Sequence, residues 1–159
     1  TRMALDYLGA SYAPAARQGR LMRENGDNGA KLLARWRNKI TDAWPMIKAG
    51  LAKPVATTIG AGESLAIDVE VSLNGLEPED IVVECMLGTE TETGDFSASH
   101  SIPFALVGNT DNGKTSYHCE LDPTGALCSV GGLQHFKIRI YPYHQLLSHP
   151  LEAGRMLWL

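Results

Sequence analysis

The chain has 159 residues, 44% of them hydrophobic and 20% charged, with a net charge of −4. That is room for one ordinary domain, or a small domain with an appendage, and enough length to bury a core without disulfide or metal staples. The composition excludes disordered and collagen-like classes, and no run approaches the roughly 20 apolar residues of a membrane-spanning helix, so no membrane partner is expected.

The charge is uneven. Residues 1–50 carry nine Lys/Arg against four Asp/Glu, and residues 51–159 carry five against fourteen. The basic part interleaves its cations with acids, which favours a solvated or docked face over a nucleic-acid contact.

Met3, Ala4 and Leu8 suit the end of a helix broken at Gly9-Ala10-Ser11. Pro14 fits the first turn of a second helix, where its missing N–H costs nothing. That helix is expected from about Ala13 to Asn25, with Gly26 as a left-handed stop. Asp27 or Asn28 would cap a third. In the third, Leu32, Leu33, Trp36, Ile40, Ala43 and Trp44 recur at three- and four-residue spacing, and Pro45 ends the stripe. Two short helices cannot bury two tryptophans between themselves. The stripe therefore faces the second part of the chain or a larger body, and packing is preferred over sugar stacking for Trp36 and Trp44. Left exposed, such a stripe would let the isolated chain dimerise.

Residues 47–54 read as a connector. From about Val55 the period becomes two. Leu65, Ile67, Val69, Val71 and Leu73 alternate with Ala66, Asp68, Glu70 and Ser72, the pattern of a half-buried strand. Asn74-Gly75 turns the chain, and Ile81, Val83, Cys85 and Leu87 continue the alternation. Thr89–Ser101 reads as a long polar loop. Phe104 and Leu106 mark a weaker strand, with Pro103 suggesting an edge. Two more strands follow, one on Thr115, Tyr117, Cys119 and Leu121 and one on Phe136, Ile138 and Ile140. Turn clusters stand at Gly60–Gly62, Asp122–Gly125 and Gly131-Gly132. The expected fold is mainly β: an antiparallel, immunoglobulin-like β-sandwich over 51–159, preceded by a helical segment of two or three α-helices over 1–50.

Chemical motifs are few. Gly108-Asn-Thr-Asp-Asn-Gly113-Lys114-Thr115 fits G-x-x-x-x-G-K-[ST], but that phosphate-cradling loop needs a helix starting at its Lys-Thr. Here Thr115–Leu121 alternates as a strand and Asn112-Gly113 is a hairpin signal, so a turn is expected. His100, His118, His135, His144 and His149 are scattered, without C-x-x-C or H-E-x-x-H spacing, so no metal site is assigned. Cys85, Cys119 and Cys128 leave one thiol unpaired under any scheme, and the chain has no Asn-X-Ser/Thr site, which leans towards a reducing cytoplasm. Cys119 and Cys128 are spaced to approach across a hairpin, as buried thiols rather than zinc ligands. Glu90, Glu92 and Asp95 lack the ligand density of a calcium loop. No carboxylate pair or activated nucleophile is recognisable, so no catalytic residue is assigned. Tyr141, Tyr143, His144 and Trp158 could stack on sugar, but the apolar run Arg155-Met156-Leu157-Trp158-Leu159 favours packing down over sugar binding.

Tyr7, Tyr12, Pro14-Ala15, Arg20-Leu21-Met22 and the Trp36/Trp44 helix resemble the segment with which the core of bacterial α-glucan (glycogen or maltodextrin) phosphorylases ends. Gly75-Leu76-Glu77-Pro78-Glu79-Asp80-Ile81-Val82-Val83-Glu84, Tyr141-Pro142-Tyr143-His144 and His149-Pro150-Leu151 resemble the appended C-terminal domain of that family. The resemblance implies an excised C-terminal part of a cytoplasmic glycosyltransferase that releases glucose 1-phosphate from α-1,4-glucan with phosphate. It implies pyridoxal phosphate in the parent enzyme and none in this fragment, because the family's cofactor-lysine and phosphate-binding motifs have no counterpart here. No cofactor-binding residue is assigned, Lys114 included. The implied role is structural or in assembly, with the catalytic lobes as partner. Alternatives are a carbohydrate-binding module gripping α-glucan, or an unrelated intracellular interaction domain.

Overall fold

A computed structural model describes residues 13–58, 63–110, 112–122 and 135–159. One helix, α1 (Ala13–Ala43), stands where two were expected. Gly26 does not stop it. A mid-helix glycine costs only about 1 kcal/mol, and the buried stripe runs through the break. Gly29, Leu33, Trp36, Ile40 and Ala43 are buried at 4, 3, 4, 3 spacing, and Met22, two turns earlier, packs against the same cluster. The helix expected around Met3–Leu8 lies outside the described residues. A 3₁₀ turn at Trp44–Met46 ends α1, with Ile47 N–H bonded to the Trp44 carbonyl at 3.1 Å.

Among the described residues eight strands follow: β1 (Lys48–Leu51), β2 (Leu65–Ser72), β3 (Ile81–Glu90), β4 (Phe96–Pro103), β5 (Ala105–Asn109), β6 (Thr115–Leu121), β7 (His135–Pro142) and β8 (Leu157–Trp158). Two of them correct the sequence reading. The connector at 47–54 holds β1, which pairs antiparallel with β2. Lys-Ala-Gly-Leu has little strand propensity, so its conformation comes from the β2 backbone beside it. The loop expected over Thr89–Ser101 is a hairpin: β3 runs to Glu90, a short turn follows, and β4 pairs back along it. β4 is an edge strand with Ser97, Ser99 and Ser101 exposed, so it shows no apolar alternation to read. The turn clusters at Gly60–Gly62 and beyond Asp122 lie outside the described residues.

The first sheet has the order β1-β2-β6-β5 and the second β4-β3-β7-β8, with every pairing antiparallel. This is the immunoglobulin-type arrangement, a four-stranded sheet facing a three-stranded one, with β4 added beside β3. The chain changes sheets after β2 through Asn74 and Gly75, both at positive φ (49° and 85°). It crosses back after β4 through a single residue, the buried Phe104, whose N–H bonds the Val83 carbonyl at 2.9 Å. The β4 and β5 edges therefore share one side of the sandwich, and β1 and β8 the other.

Between the sheets lie Ile67, Val69 and Val71 of β2, Val83 and Cys85 of β3, Tyr117 and Cys119 of β6, and Ile138 and Ile140 of β7. The α1 stripe joins the same cluster together with Ile47, Leu76 and Leu146. Helix and sandwich thus share one core. Trp36, 6% exposed, faces the second part of the chain.

Candidate functional site

The most organised polar site is the joint where α1 meets the sandwich. Its centre is Asp80, the last residue of a 3₁₀ turn at Pro78–Asp80. Glu77 and Asp80 form a capping box there, and Pro78 occupies a position that needs no N–H. Asp80 Oδ1 accepts from Trp36 Nε1 at 2.8 Å. Oδ2 accepts from Lys39 Nζ at 2.7 Å and from the Glu77 N–H at 2.9 Å. Burial alone would raise the Asp80 carboxyl; the bonds from Lys39 and Glu77, joined by Trp36, outweigh it and hold the group below its ordinary value.

His144 packs its ring on Trp36, centroids 5.2 Å apart and planes tilted by 46°. Burial lowers its pKa against the pull of Asp80, and Nδ1 accepts the Leu146 N–H at 3.1 Å. Next to Trp36 on the helix, Arg37 pairs with Glu152. The Ser148 hydroxyl and N–H bind Glu152 at 2.6 and 2.8 Å, and these bonds hold its carboxyl low despite some burial. Asn74 Nδ2 reaches the Ala43 carbonyl at 3.3 Å. Cations on the helix meet carboxylates on the sandwich, which gives the uneven charge of the two parts a structural use.

A second ordered cluster stands on the outer face of the second sheet. Arg139 donates to Glu84 Oε2 through Nε and Nη2, both at 2.7 Å, and Tyr141 Oη donates to Oε1 at 2.8 Å. Burial first, and then the Glu84 carboxylate, push the Tyr141 hydroxyl up to about 12. On the outer face of the first sheet, Asp68 takes Lys53 Nζ and His118 Nδ1, each at 2.7 Å, and these bonds lower its pKa.

The phosphate-loop match is a hairpin, as its alternation required. Thr110 N–H donates to the Lys114 carbonyl at 2.7 Å, Gly113 has φ 70°, and Lys114 pairs with Glu70 at 2.9 Å. Beside it an open groove of about 310 Å³ runs along Lys48–Leu51, Glu70, Ser72 and Lys114. Among the described residues no cluster of metal-ligating side chains occurs, and no helix is long and apolar enough to cross a membrane. His100, His118, His144 and His149 bond separately, to Ser99, Asp68, Leu146 and Leu151, and His135 stands 3.6 Å from Glu90. Asp95 accepts from Thr93 within its turn.

Cys85 and Cys119 are free thiols buried from opposite sheets, and burial pushes Cys85 up to about 12. Cys128 lies outside the described residues. Of the aromatics, Tyr141 is buried, Trp44 half-buried, and Tyr143 and Trp158 exposed. A pyridoxal ring does not fit what is described: Lys31, Lys39, Lys48, Lys53, Lys114 and Lys137 are all exposed, with none facing an enclosed cavity. Sequence reasoning missed Asp80 and Glu84. The acid closing a Glu-Pro-Glu-Asp turn signalled the first, and Arg139 and Tyr141 on one strand face signalled the second.

A family model described as the glycogen phosphorylase C-terminal domain matches residues 44–159. The chain is 25% identical over 158 residues to the maltodextrin phosphorylase of Thermococcus litoralis, covering 99% of this chain and 18% of that protein. It is 29% identical over 157 residues to glycogen phosphorylases of Mycobacterium bovis and Mycobacterium tuberculosis, covering 97% of this chain and 18% of each. The chain therefore spans about a fifth of the length of these relatives.

Proposed function

The chain belongs to the glycogen phosphorylase C-terminal domain family, and on that premise we propose that it is the non-catalytic C-terminal part of an α-glucan phosphorylase, supporting or assembling the catalytic lobes. In this reading residues 1–50 are the end of the phosphorylase core and 51–159 the appended sandwich. The parent is a cytoplasmic, pyridoxal-phosphate-dependent glycosyltransferase that releases glucose 1-phosphate from α-1,4-glucan. No catalytic, cofactor-binding or metal-binding residue is assigned to this chain.

The observation that carries the reading is the joint at Asp80. Trp36, Lys39 and the Glu77 amide converge on one carboxylate, which fixes the angle of a 31-residue helix to the sandwich. An α-helix of that length spans about 46 Å. Such an arm suits the transmission of position from one body to another; no reacting group is needed for it.

The test has two parts. The purified 159-residue chain should release no glucose 1-phosphate from maltoheptaose and show no pyridoxal absorbance. In the intact enzyme, Asp80→Asn should lower the thermal midpoint while leaving KM for glucan unchanged. Phosphorylase activity in the pure chain would refute the proposal. A second reading, glucan contact by the sandwich itself, is favoured by one observation, the exposure of Trp158.

A further inference from the structure

We infer that His144 is a pH-sensitive latch on the joint between α1 and the sandwich, closed on Trp36 while its imidazole is neutral and released when Nδ1 takes a proton. Its effect on the catalytic lobes rests on the supporting role proposed above; the latch itself rests on the geometry of the joint.

The backbone around His144 is tied down. Tyr143 N–H donates to the Asp80 carbonyl at 2.8 Å, and Leu147 N–H to the His144 carbonyl at 2.9 Å. One turn thereby delivers two side chains to the helix. Leu146 enters the core cluster that holds the α1 stripe, and the His144 ring packs on Trp36 with centroids 5.2 Å apart. Trp36 in turn donates to Asp80. The imidazole therefore stands against a side chain by which α1 grips the sandwich.

The turn also fixes the state of the ring. Leu146 N–H donates to His144 Nδ1 at 3.1 Å. Nδ1 must offer a lone pair to accept that bond, so the closed arrangement needs a neutral imidazole with its proton on Nε2. A proton on Nδ1 sets two N–H groups against each other. The bond is lost and the ring turns away from the Leu146 amide. With the backbone held, that rotation takes the ring off the indole.

The surrounding charges do not keep a protonated ring seated. Lys39 and Arg37 come from α1, Glu77 and Asp80 from the 3₁₀ turn, and Tyr143 and Glu152 from the segment after β7. Arg37 and Glu152 neutralise each other. Both Asp80 oxygens already accept, Oδ1 from Trp36 and Oδ2 from Lys39 and Glu77. Asp80 still pulls the imidazole towards its charged form, and burial of the ring outweighs that pull. The sign follows. The closed joint is favoured above the ordinary imidazole value near 6.5 and loses that advantage as pH falls through the lower value of the seated ring. Between the two values the ratio of open to closed joint rises by at most about tenfold per pH unit, the limit for one proton.

The test is NMR of the 159-residue chain from about pH 7.5 to about pH 5, spanning the imidazole range. The His144 ring, the Trp36 indole N–H and the Leu146 amide should change with one midpoint, below about 6.5. Protection of the Leu146 amide, corrected for the intrinsic exchange rate, should fall by up to about tenfold per pH unit. The amide of Val69, on β2 between β1 and β6, should stay protected. Two variants separate the parts of the latch. The Asn side chain in His144→Asn accepts the N–H two residues on without titrating, so Trp36 and Leu146 should become flat with pH. The ring in His144→Phe covers Trp36 and accepts nothing, so Leu146 should be less protected at every pH and Trp36 again flat.

A Trp36 signal that ignores the titration of His144, or a transition that survives in His144→Asn, would overturn the inference. So would a His144 midpoint at or above about 6.5, which would mean that Asp80 holds the charged ring in place. Loss of protection at Val69 in step with Leu146 would make the event global unfolding and also overturn it. None of these results touches the supporting role; that reading fails separately, on phosphorylase activity in the pure chain.

Discussion

The two sheets of the sandwich are built from matching parts and use them differently. Each has four strands and one hairpin, and the two hairpins close with the same chemistry. Thr91 N–H bonds the Asp95 carbonyl at 2.9 Å, Gly94 N–H bonds Thr91 at 2.9 Å, and Gly94 has φ 83°. Thr110, Gly113 and Lys114 repeat this at 2.7 and 3.0 Å, with Gly113 at φ 70°. Each sheet also contributes one free cysteine and one buried tyrosine. Tyr117 of the first sheet points into the core, where its hydroxyl has no hydrogen-bond partner. Tyr141 of the second lies on the outer face and ends on Glu84. The first sheet therefore spends its tyrosine on packing, and the second uses its own to order a polar surface.

The comparison breaks most readily at Gly88. A β-bulge between Leu87 and Gly88 brings β4 so close that a Cβ at Gly88 would run into the Ser97 carbonyl and lie 2.9 Å from Ala98 Cα. Both obstacles are backbone, so the strand must shift. Gly88→Ala should cost about 3 kcal/mol by urea denaturation. Gly113→Ala in the first sheet meets open space and should cost only the strain of its positive φ, about 1 kcal/mol. Equal losses would mean that the second hairpin is no more tightly built than the first.

The tyrosines sharpen the contrast. Tyr141→Phe should lower stability by about 1.5 kcal/mol, because the Glu84 carboxylate loses a donor in a half-buried place. Tyr117→Phe removes a hydroxyl that has no partner in the core, so the thermal midpoint should hold or rise. A loss at Tyr117 matching that at Tyr141 would show that its hydroxyl is satisfied after all.

Legibility in the sequence also divided along these lines. Strands β2, β3, β6 and β7 each bury one face, and their alternation was plain. Strands β1, β4 and β8 lie at edges, where one side has no neighbour and polar side chains cost nothing, so periodicity had nothing to report. The first hairpin was recognised through Asn112-Gly113 and the second was not. Yet the shared signal was Thr followed three residues later by Gly, present at both Thr91 and Thr110. Gly26 misled because a local stop signal competes with burial, and the stripe through Gly29 and Leu33 prevailed. At Asp80 only the turn left a signal in the sequence; the joint itself left none, because the carboxylate's side-chain partners come from 41 and 44 residues away. No spacing rule spans such a distance.

Acid should separate the exposed pair of the first sheet from the joint at the helix. Asp68, Asp80 and Glu152 are all held below their ordinary values. Each adds stability that is present above the unfolded carboxyl value near 4 and is lost as pH falls through the lower folded value. His144, also lowered, adds stability that begins to be lost below about 6.5. The main partner of Asp68, Lys53, is 71% exposed, so solvent screens that pair and its share should not exceed about 1 kcal/mol. Asp68→Asn should therefore flatten the thermal midpoint only below about pH 4 and only slightly. Salt should erase that difference and leave the slope due to Asp80.

The smallest test is the turn repeat itself. Thr91 Oγ1 accepts the Asp95 N–H at 3.0 Å and Thr110 Oγ1 the Lys114 N–H at 3.2 Å. These bonds are exposed and compete with water, so Thr91→Ala and Thr110→Ala should each cost about 0.5 kcal/mol. Thr91 also shares a 2.8 Å bond with Thr93, which in turn donates to Asp95, whereas the second bond of Thr110 Oγ1, donated to the Lys114 carbonyl, is longer at 3.0 Å, so the loss at Thr91 should be slightly the larger. A reversed order, with Thr110 the costlier, would mean that the turn in the first sheet is anchored by Lys114 and Glu70 across the strands and that the likeness of the two turns is geometric only.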